Sequence, residues 1–271
     1  MKSLFVLVFF LFTNCIIAQT LYDYTEHDTY FVDDTVHLLF DKVNLRTEPD
    51  SSSKVIQKLG IGSPLKIKSK SEETYRSYGY IHNWFEVAVL DKDLNETSVV
   101  GFIWGGFFAY DAFESTNDPG VRFLFGLSKI QQEDWGEYSE YAPESPNQWG
   151  KVHVFQIRAV MENTEIGRVN FKGIGVVGVP HYCNISDNKG LRNVCDIIQI
   201  DVSSHYCGGY FGKIYIFWDR AILHHAKTLY EGFDAPVFAE RELIFPADED
   251  GKQGIVILYE AEGEYNDDGT I

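Results

Sequence analysis

Apolar positions along this chain recur at the spacing of strands far more often than at the spacing of helices. Leu65-Lys66-Ile67-Lys68 alternates apolar and polar residues with period two, the pattern of a strand with one buried face. Val36-His37-Leu38-Leu39-Phe40, Trp84-Phe85-Glu86-Val87-Ala88-Val89 and Val99 to Trp104 are further β-type runs. Gly60, Gly62, Pro64, Gly79 and Asn83 punctuate them as turn residues. Later apolar runs cover 152–160, 174–179, 197–202, 213–218 and 254–259. A short helix is predicted only over Arg220 to Tyr230, and no long stripe of period 3.6 occurs. The fold class expected is therefore all-β or β-dominated, with at most a short helix.

The same pattern sets the organisation. Residues 1–18 read as an export signal: Lys2 supplies the positive start, Leu4 to Phe12 the apolar run, and Ala18 the small residue before Gln19. The apolar run is shorter than the roughly 20 residues of a spanning helix. Removal of 1–18 takes Cys15 with it; its retention as a lipid-bearing residue is the other reading. Residues 19–35 form a polar lead-in expected to be flexible. A small barrel is expected over 36–110, a linker over 111–119, and a β-rich domain of unknown type over 120–271. Residues 131–150, with Trp135 and Trp149, read as a second region of low order, and the acidic tail 260–268 as frayed. No later segment is apolar enough to cross a bilayer as a helix, so no transmembrane segment is expected after signal cleavage.

The first barrel segments carry a resemblance. Val43-Asn44-Leu45-Arg46-Thr47-Glu48-Pro49 contains an Asn-Leu-Arg-x-x-Pro turn. Val55-Ile56 with Leu59, Leu65-Lys66-Ile67, Trp84-Phe85-Glu86-Val87 and Gly101-Phe102-Ile103-Trp104 follow in order. The segment resembles a bacterial SH3 (SH3b) domain, a small β-barrel attached to exported proteins. The resemblance is limited to about residues 36–110 and implies binding of peptidoglycan peptide or another wall component. In it Leu45 points into the barrel, Asn44 satisfies turn backbone and Pro49 holds φ in the loop. Two connections, 69–83 and 90–98, are longer than the family's usual ones. Tyr75, Tyr78 and Tyr80 on the first, with Trp84 and Trp104, are the candidate ligand-binding residues; as plain aromatics they are also candidates for core.

Charge narrows the partners. The formal net charge is −17, which disfavours nucleic acid and other polyanions. A local exception lies at Lys54, Lys58, Lys66, Lys68, Lys70 and Arg76, read as a solvated barrel face or a small anion-facing patch.

The cysteines leave three readings open. After signal removal Cys183, Cys195 and Cys207 remain, at twelve-residue spacing, and His181-Tyr182-Cys183 and His205-Tyr206-Cys207 repeat one triplet. In a strand each triplet puts His and Cys on one face. One disulfide with a spare thiol suits an exported chain. A zinc site would use His181, Cys183, His205 and Cys207, although the spacing matches no compact zinc motif. A wall-active hydrolase would use Cys207 or Cys183 as nucleophile with His205 or His181 as base. Tyr206-Cys207-Gly208-Gly209 lacks the Asp that precedes the cysteine in such hydrolases linked to SH3b domains. Asp187 to Asp196 has the oxygen-rich look of a calcium loop, but Lys189 and Arg192 interrupt it, so a polar hairpin turn is expected. The functional expectation is non-catalytic binding in the periplasm or outside the cell, with no cofactor. A cell-wall peptide or an envelope protein is the partner, the latter through a protein–protein interaction module in the envelope.

Overall fold

In a computed structural model, the structure describes residues 30–132, 151–173, 179–203, 210–234 and 237–264. Sixteen strands in three antiparallel sheets account for most of it. The first sheet holds β1 (Thr35–His37), β2 (Val43–Arg46), β3 (Val55–Leu59), β4 (Pro64–Ser77), β5 (Tyr80–Leu90) and β6 (Glu96–Trp104), in the order β1-β4-β5-β6-β2-β3. It is barrel-like, because every one of its strands sends residues into one core of Val36, Val43, Leu45, Leu59, Leu65, Ile67, Phe85, Val87 and Ile103. Leu45, Ile67 and Val87 thus share an interior. Val55 does not: it is 37% exposed on the edge strand β3, of which only Leu59 is buried.

Local details of the Asn-Leu-Arg-x-x-Pro turn also differ from expectation. Asn44 Oδ1 is buried without a hydrogen-bond partner among the described residues. The turn is closed instead by Arg46 Nη1, which donates to the Ser53 carbonyl at 2.5 Å, and by Ser53 Oγ, which donates to the Glu48 carbonyl at 3.0 Å. The end of the supposedly flexible lead-in is built in. Tyr30 packs edge-on against Phe85 and Phe108 at 5.7 and 5.3 Å.

The second sheet has the order β10-β9-β8-β7, from β7 (Asp111–Glu114), β8 (Val121–Gln132), β9 (Lys151–Met161) and β10 (Thr164–Lys172). Its two central strands, β8 and β9, bury residues on both faces over Val121–Leu127 and Phe155–Val160. Phe123, Phe125, Phe155 and Ile157 point to one side, and Leu124 and Val160 to the other, where they meet Leu39 and Ile61 of the barrel. The third sheet runs β11-β12-β13-β14-β15-β16, from β11 (Val179–Ser186), β12 (Asp196–Ser203), β13 (Tyr210–Trp218), β14 (Leu223–Asp234), β15 (Val237–Ile244) and β16 (Ile257–Glu264). Ile198, Ile200, Ile214, Ile216 and Trp218 pack on the second sheet, and Tyr80, Trp84 and Trp104 of the barrel join the same core.

Three expectations are corrected here. The short helix over Arg220 to Tyr230 is strand β14; a bulge opposite Tyr215–Ile216 breaks its alternation and hides it from period counting. Residues 111–114, expected as linker, form β7 against β8, and the turn that follows is hydrogen-bonded. Residues 260–264 do not fray: they pair with β15, where Arg241 reaches Glu260 at 2.9 Å and Glu262 at 2.7 Å. Most of the strand expected over 174–179, and nearly all of the low-order region over 131–150, lie outside the described residues.

The joint between barrel and second sheet carries a partly buried histidine. His37 on β1 accepts the Ala109 N–H at its carbonyl, and its ring lies close to Arg122 and Glu114. Burial, then Arg122, lower its pKa from 6.5 to about 4 against the opposing pull of Glu114. The unfolded imidazole therefore holds its proton between those pH values while the folded one does not. The stability present above pH 6.5 is lost as pH falls toward 4. Partial exposure reduces the effect to on the order of 2 kcal/mol. Urea midpoints at several pH values should show this loss, and His37→Gln should flatten that part of the profile; an unchanged slope would refute the assignment.

Candidate functional site

The aromatic residues singled out in sequence do come together, at the β4–β5 hairpin. Ser77 pairs with Tyr80 across a two-residue turn, Tyr78-Gly79, whose φ angles are 51° and 87°. Positive φ at both positions matches the twist of a tight hairpin, and Asn, Asp or Gly normally fill it. Gly79 is required twice over, since a Cβ there would sit 2.0 Å from the Ile130 carbonyl oxygen. Tyr78 is a bulky residue in the left-handed region, where a side chain is tolerated at a cost of order 1 kcal/mol or more. Its carbonyl accepts the Ile130 N–H at 2.9 Å, which pins the hairpin tip to β8.

Trp104 is the hub. Tyr80 lies 5.1 Å from it, Tyr75 meets it edge-on at 5.8 Å, and Tyr78 stacks on it at 6.2 Å. Phe107 meets it edge-on at 5.1 Å. Its Nε1 donates to the His82 carbonyl at 3.2 Å, and Tyr80 Oη donates to the Gly106 carbonyl at 2.8 Å. The ring lies over the short 3-10 turn Gly105–Phe107; a Cβ at Gly106 would come within 2.4 Å of it, so the turn admits only glycine there. Trp84 faces Trp104 across β5 and β6.

Burial divides the five. Trp104, Tyr80 and Trp84 are core, at 0%, 2% and 4% exposure, whereas Tyr75 and Tyr78 are 39% and 46% exposed. Only the last two offer ring surface to a ligand; the others hold them. Tyr78 also stacks on Phe40 at 5.3 Å, and the Arg158 guanidinium lies 4.8 Å from the centre of the Phe40 ring. Phe40, Phe107 and Arg158 were not singled out in sequence. For Arg158 a signal existed: with Gln156 it is a polar residue at period two inside the apolar run 152–160.

The cysteine constellation is weaker. His205 and Cys207 lie outside the described residues, and so does the side chain of His181, which sits in β11. Cys183 and Cys195 are free thiols among the described residues and are not bridged to each other. They lie at different places: Cys183 opposite Ile200 on β11, and Cys195 just before β12, its N–H bonded to the Trp218 carbonyl. Burial, then the Asp111 and Asp201 carboxylates, push the Cys183 thiol well above its ordinary range. A nucleophile needs the reverse. Iodoacetamide at pH 8 should modify Cys183 at least about tenfold more slowly in folded than in urea-unfolded protein, read by mass spectrometry. Fast modification in the folded state would restore the nucleophile reading. Among the described residues no three metal-ligating side chains gather to form a metal site. The 187–190 segment uses its oxygens internally, Asp187 accepting the Lys189 N–H and Asn188 the Gly190 N–H, as a polar turn does.

The lysine-rich barrel face is partly neutralised. Lys66 lies 3.1 Å from Asp33 and 3.3 Å from Glu96, and Lys68 lies 3.0 Å from Glu96. No helix among the described residues is long and apolar enough to cross a membrane.

No family model, curated protein or solved structure matches this chain.

Proposed function

We propose that the protein is a non-catalytic binding protein of the cell envelope that takes an extended peptide against Tyr75 and Tyr78. The observation that carries this reading is a pair of half-exposed tyrosine rings held in place by a fully buried tryptophan, one of them on strained backbone. Such rings present apolar area at little entropic cost, with a hydroxyl for orientation. Peptidoglycan peptide is the ligand class implied by the SH3b resemblance, and export follows from the signal-like residues 1–18. An envelope protein docking on the acidic β-rich region is the competing partner. The hydrolase reading is disfavoured for Cys183, whose surroundings keep it a thiol.

Co-sedimentation with purified cell walls tests the proposal. The parent protein should pellet at moderate salt. Tyr75→Ala should reduce affinity about fivefold, the worth of one exposed aromatic contact. Tyr78→Asn should do the same while suiting the positive φ of its turn. Both variants should melt within a few degrees of the parent. A parent protein that stays in the supernatant would reject the reading.

A further inference from the structure

Beside the aromatic row lies a strip of polar side chains that lacks an acceptor. On the barrel-facing side of the second sheet, Arg158 stands opposite Arg168, and Gln156 opposite Asn170, across β9 and β10. Directly opposed residues of an antiparallel pair point to the same face. The two guanidiniums share one carboxylate: Glu165 lies 3.0 Å from Arg158 Nη1 and 2.7 Å from Arg168 Nη2. Arg158 Nε donates to Gln156 Oε1 at 3.0 Å, which turns the amide nitrogen of Gln156 away from Arg158. Gln156 is 1% exposed, and its Nε2 has no hydrogen-bond partner among the described residues. Arg158 is 5% exposed. The strip thus carries one surplus positive charge and one buried, unused donor. The buried donor is costly unless an acceptor meets it, and the surplus charge at the half-exposed Arg168 attracts an anion. The strip opens at the Arg168 end, where the side chain is 45% exposed. In a chain of net charge −17 the two guanidiniums form a local cationic site.

We propose that this strip is the carboxylate-binding end of the ligand site, and that Arg168, Arg158 and Gln156 select peptides with a free carboxyl group. The proposal rests on the reading of Tyr75 and Tyr78 as the peptide platform. Phe40 connects the two, stacked on Tyr78 on one side and lying next to Arg158 on the other. The peptide body packs on the exposed rings while its carboxylate accepts from the guanidinium groups and the Gln156 amide. Bonds of this charge-assisted kind are roughly twice as strong as neutral ones.

The test uses soluble peptides released from purified cell walls, before and after conversion of their carboxyl groups to amides, titrated against the full protein. The free acids should bind at least about tenfold more tightly than the amides. Arg168→Gln, a surface change that leaves Arg158 and Glu165 as a balanced pair, should bring that ratio close to one. Gln156→Leu should reduce it with the fold intact, checked by melting temperature. Equal binding of acids and amides by the parent overturns the carboxylate site and leaves the aromatic platform standing. Binding of neither overturns the platform, and the carboxylate site with it. An acid preference that survives in both variants places the recognition elsewhere and also refutes the assignment.

Discussion

Trp104→Ala is expected to lower stability by about 4 kcal/mol, the middle of the range for truncating a buried aromatic residue. The residue is fully buried and touches Tyr75, Tyr78, Tyr80 and Phe107. The rigid glycine turn beneath it has no side chain at Gly106 that could relax into the space. A cavity between elements pinned in register collapses poorly, which raises the cost. The indole N–H bond to the His82 carbonyl is lost as well, leaving that acceptor buried. Urea unfolding measures the change. Trp104→Phe should recover more than half of it, because it refills most of the volume without the donor. A loss below about 1 kcal/mol for the alanine variant would mean that the ring is not the hub described. Because Tyr75 and Tyr78 rest on this ring, wall binding should fall together with stability.

The second large effect concerns a polar anchor. Asp196 is fully buried at the start of β12. Its carboxylate accepts Ser115 Oγ, the Thr116 N–H at 2.9 Å and Thr116 Oγ1. Neighbouring contacts reinforce the tie: Asn117 Nδ2 donates to the Cys195 carbonyl at 3.0 Å, and Trp218 Nε1 to Asp118 at 3.1 Å. These bonds bind the 115–118 turn to the third sheet across about 80 residues of sequence. Asp196→Ala should cost about 3 kcal/mol, since one buried carboxylate loses its bonds from the Thr116 amide and the Ser115 and Thr116 hydroxyls at once. Asp196→Asn should cost less, because one acceptor oxygen stays. A double-mutant cycle of Asp196→Ala with Thr116→Val should show coupling of about 1 kcal/mol or more. Additive effects would show that the short contacts carry no energy. Amide exchange at Thr116 should accelerate in the Asp196→Ala protein at the same time.

Much of the fold could be read along the chain, and the failures share a cause. Leu65 to Lys68 alternates cleanly because one face of β4 is core and the other is solvent. The runs at 152–160 and 197–202 are apolar at most positions, on odd and even residues alike, because both of their faces bury side chains. The 220–230 segment misled because a bulge disrupts its period and because most of its side chains are exposed. Glu260 to Glu264 suggested a free acidic tail because Arg241, which pairs with two of its carboxylates, is some twenty residues away in sequence.

For the candidate site the division is similar. The aromatic residues were visible as a group, but their roles were not. Trp84, Trp104, Tyr80, Tyr75 and Tyr78 look alike as residue types, and only the core that the hairpin shares with β8 makes three of them buried and two of them surface. Gln156 and Arg158 stood out only as two polar residues in an apolar strand, and nothing local indicates that Arg158 shares one carboxylate with Arg168 of β10.

The chain alone determined the β-dominated class, the turns at Gly62 and Gly79 and the aromatic content of the long hairpin, because these depend on neighbours two to four residues apart, whereas Asn83, expected in a turn, lies within β5. The tertiary structure decided which rings remain exposed, which thiol is shielded and where positive charge goes uncompensated. Those properties come from burial and charge pairing between strands distant in sequence, and no local pattern encodes them.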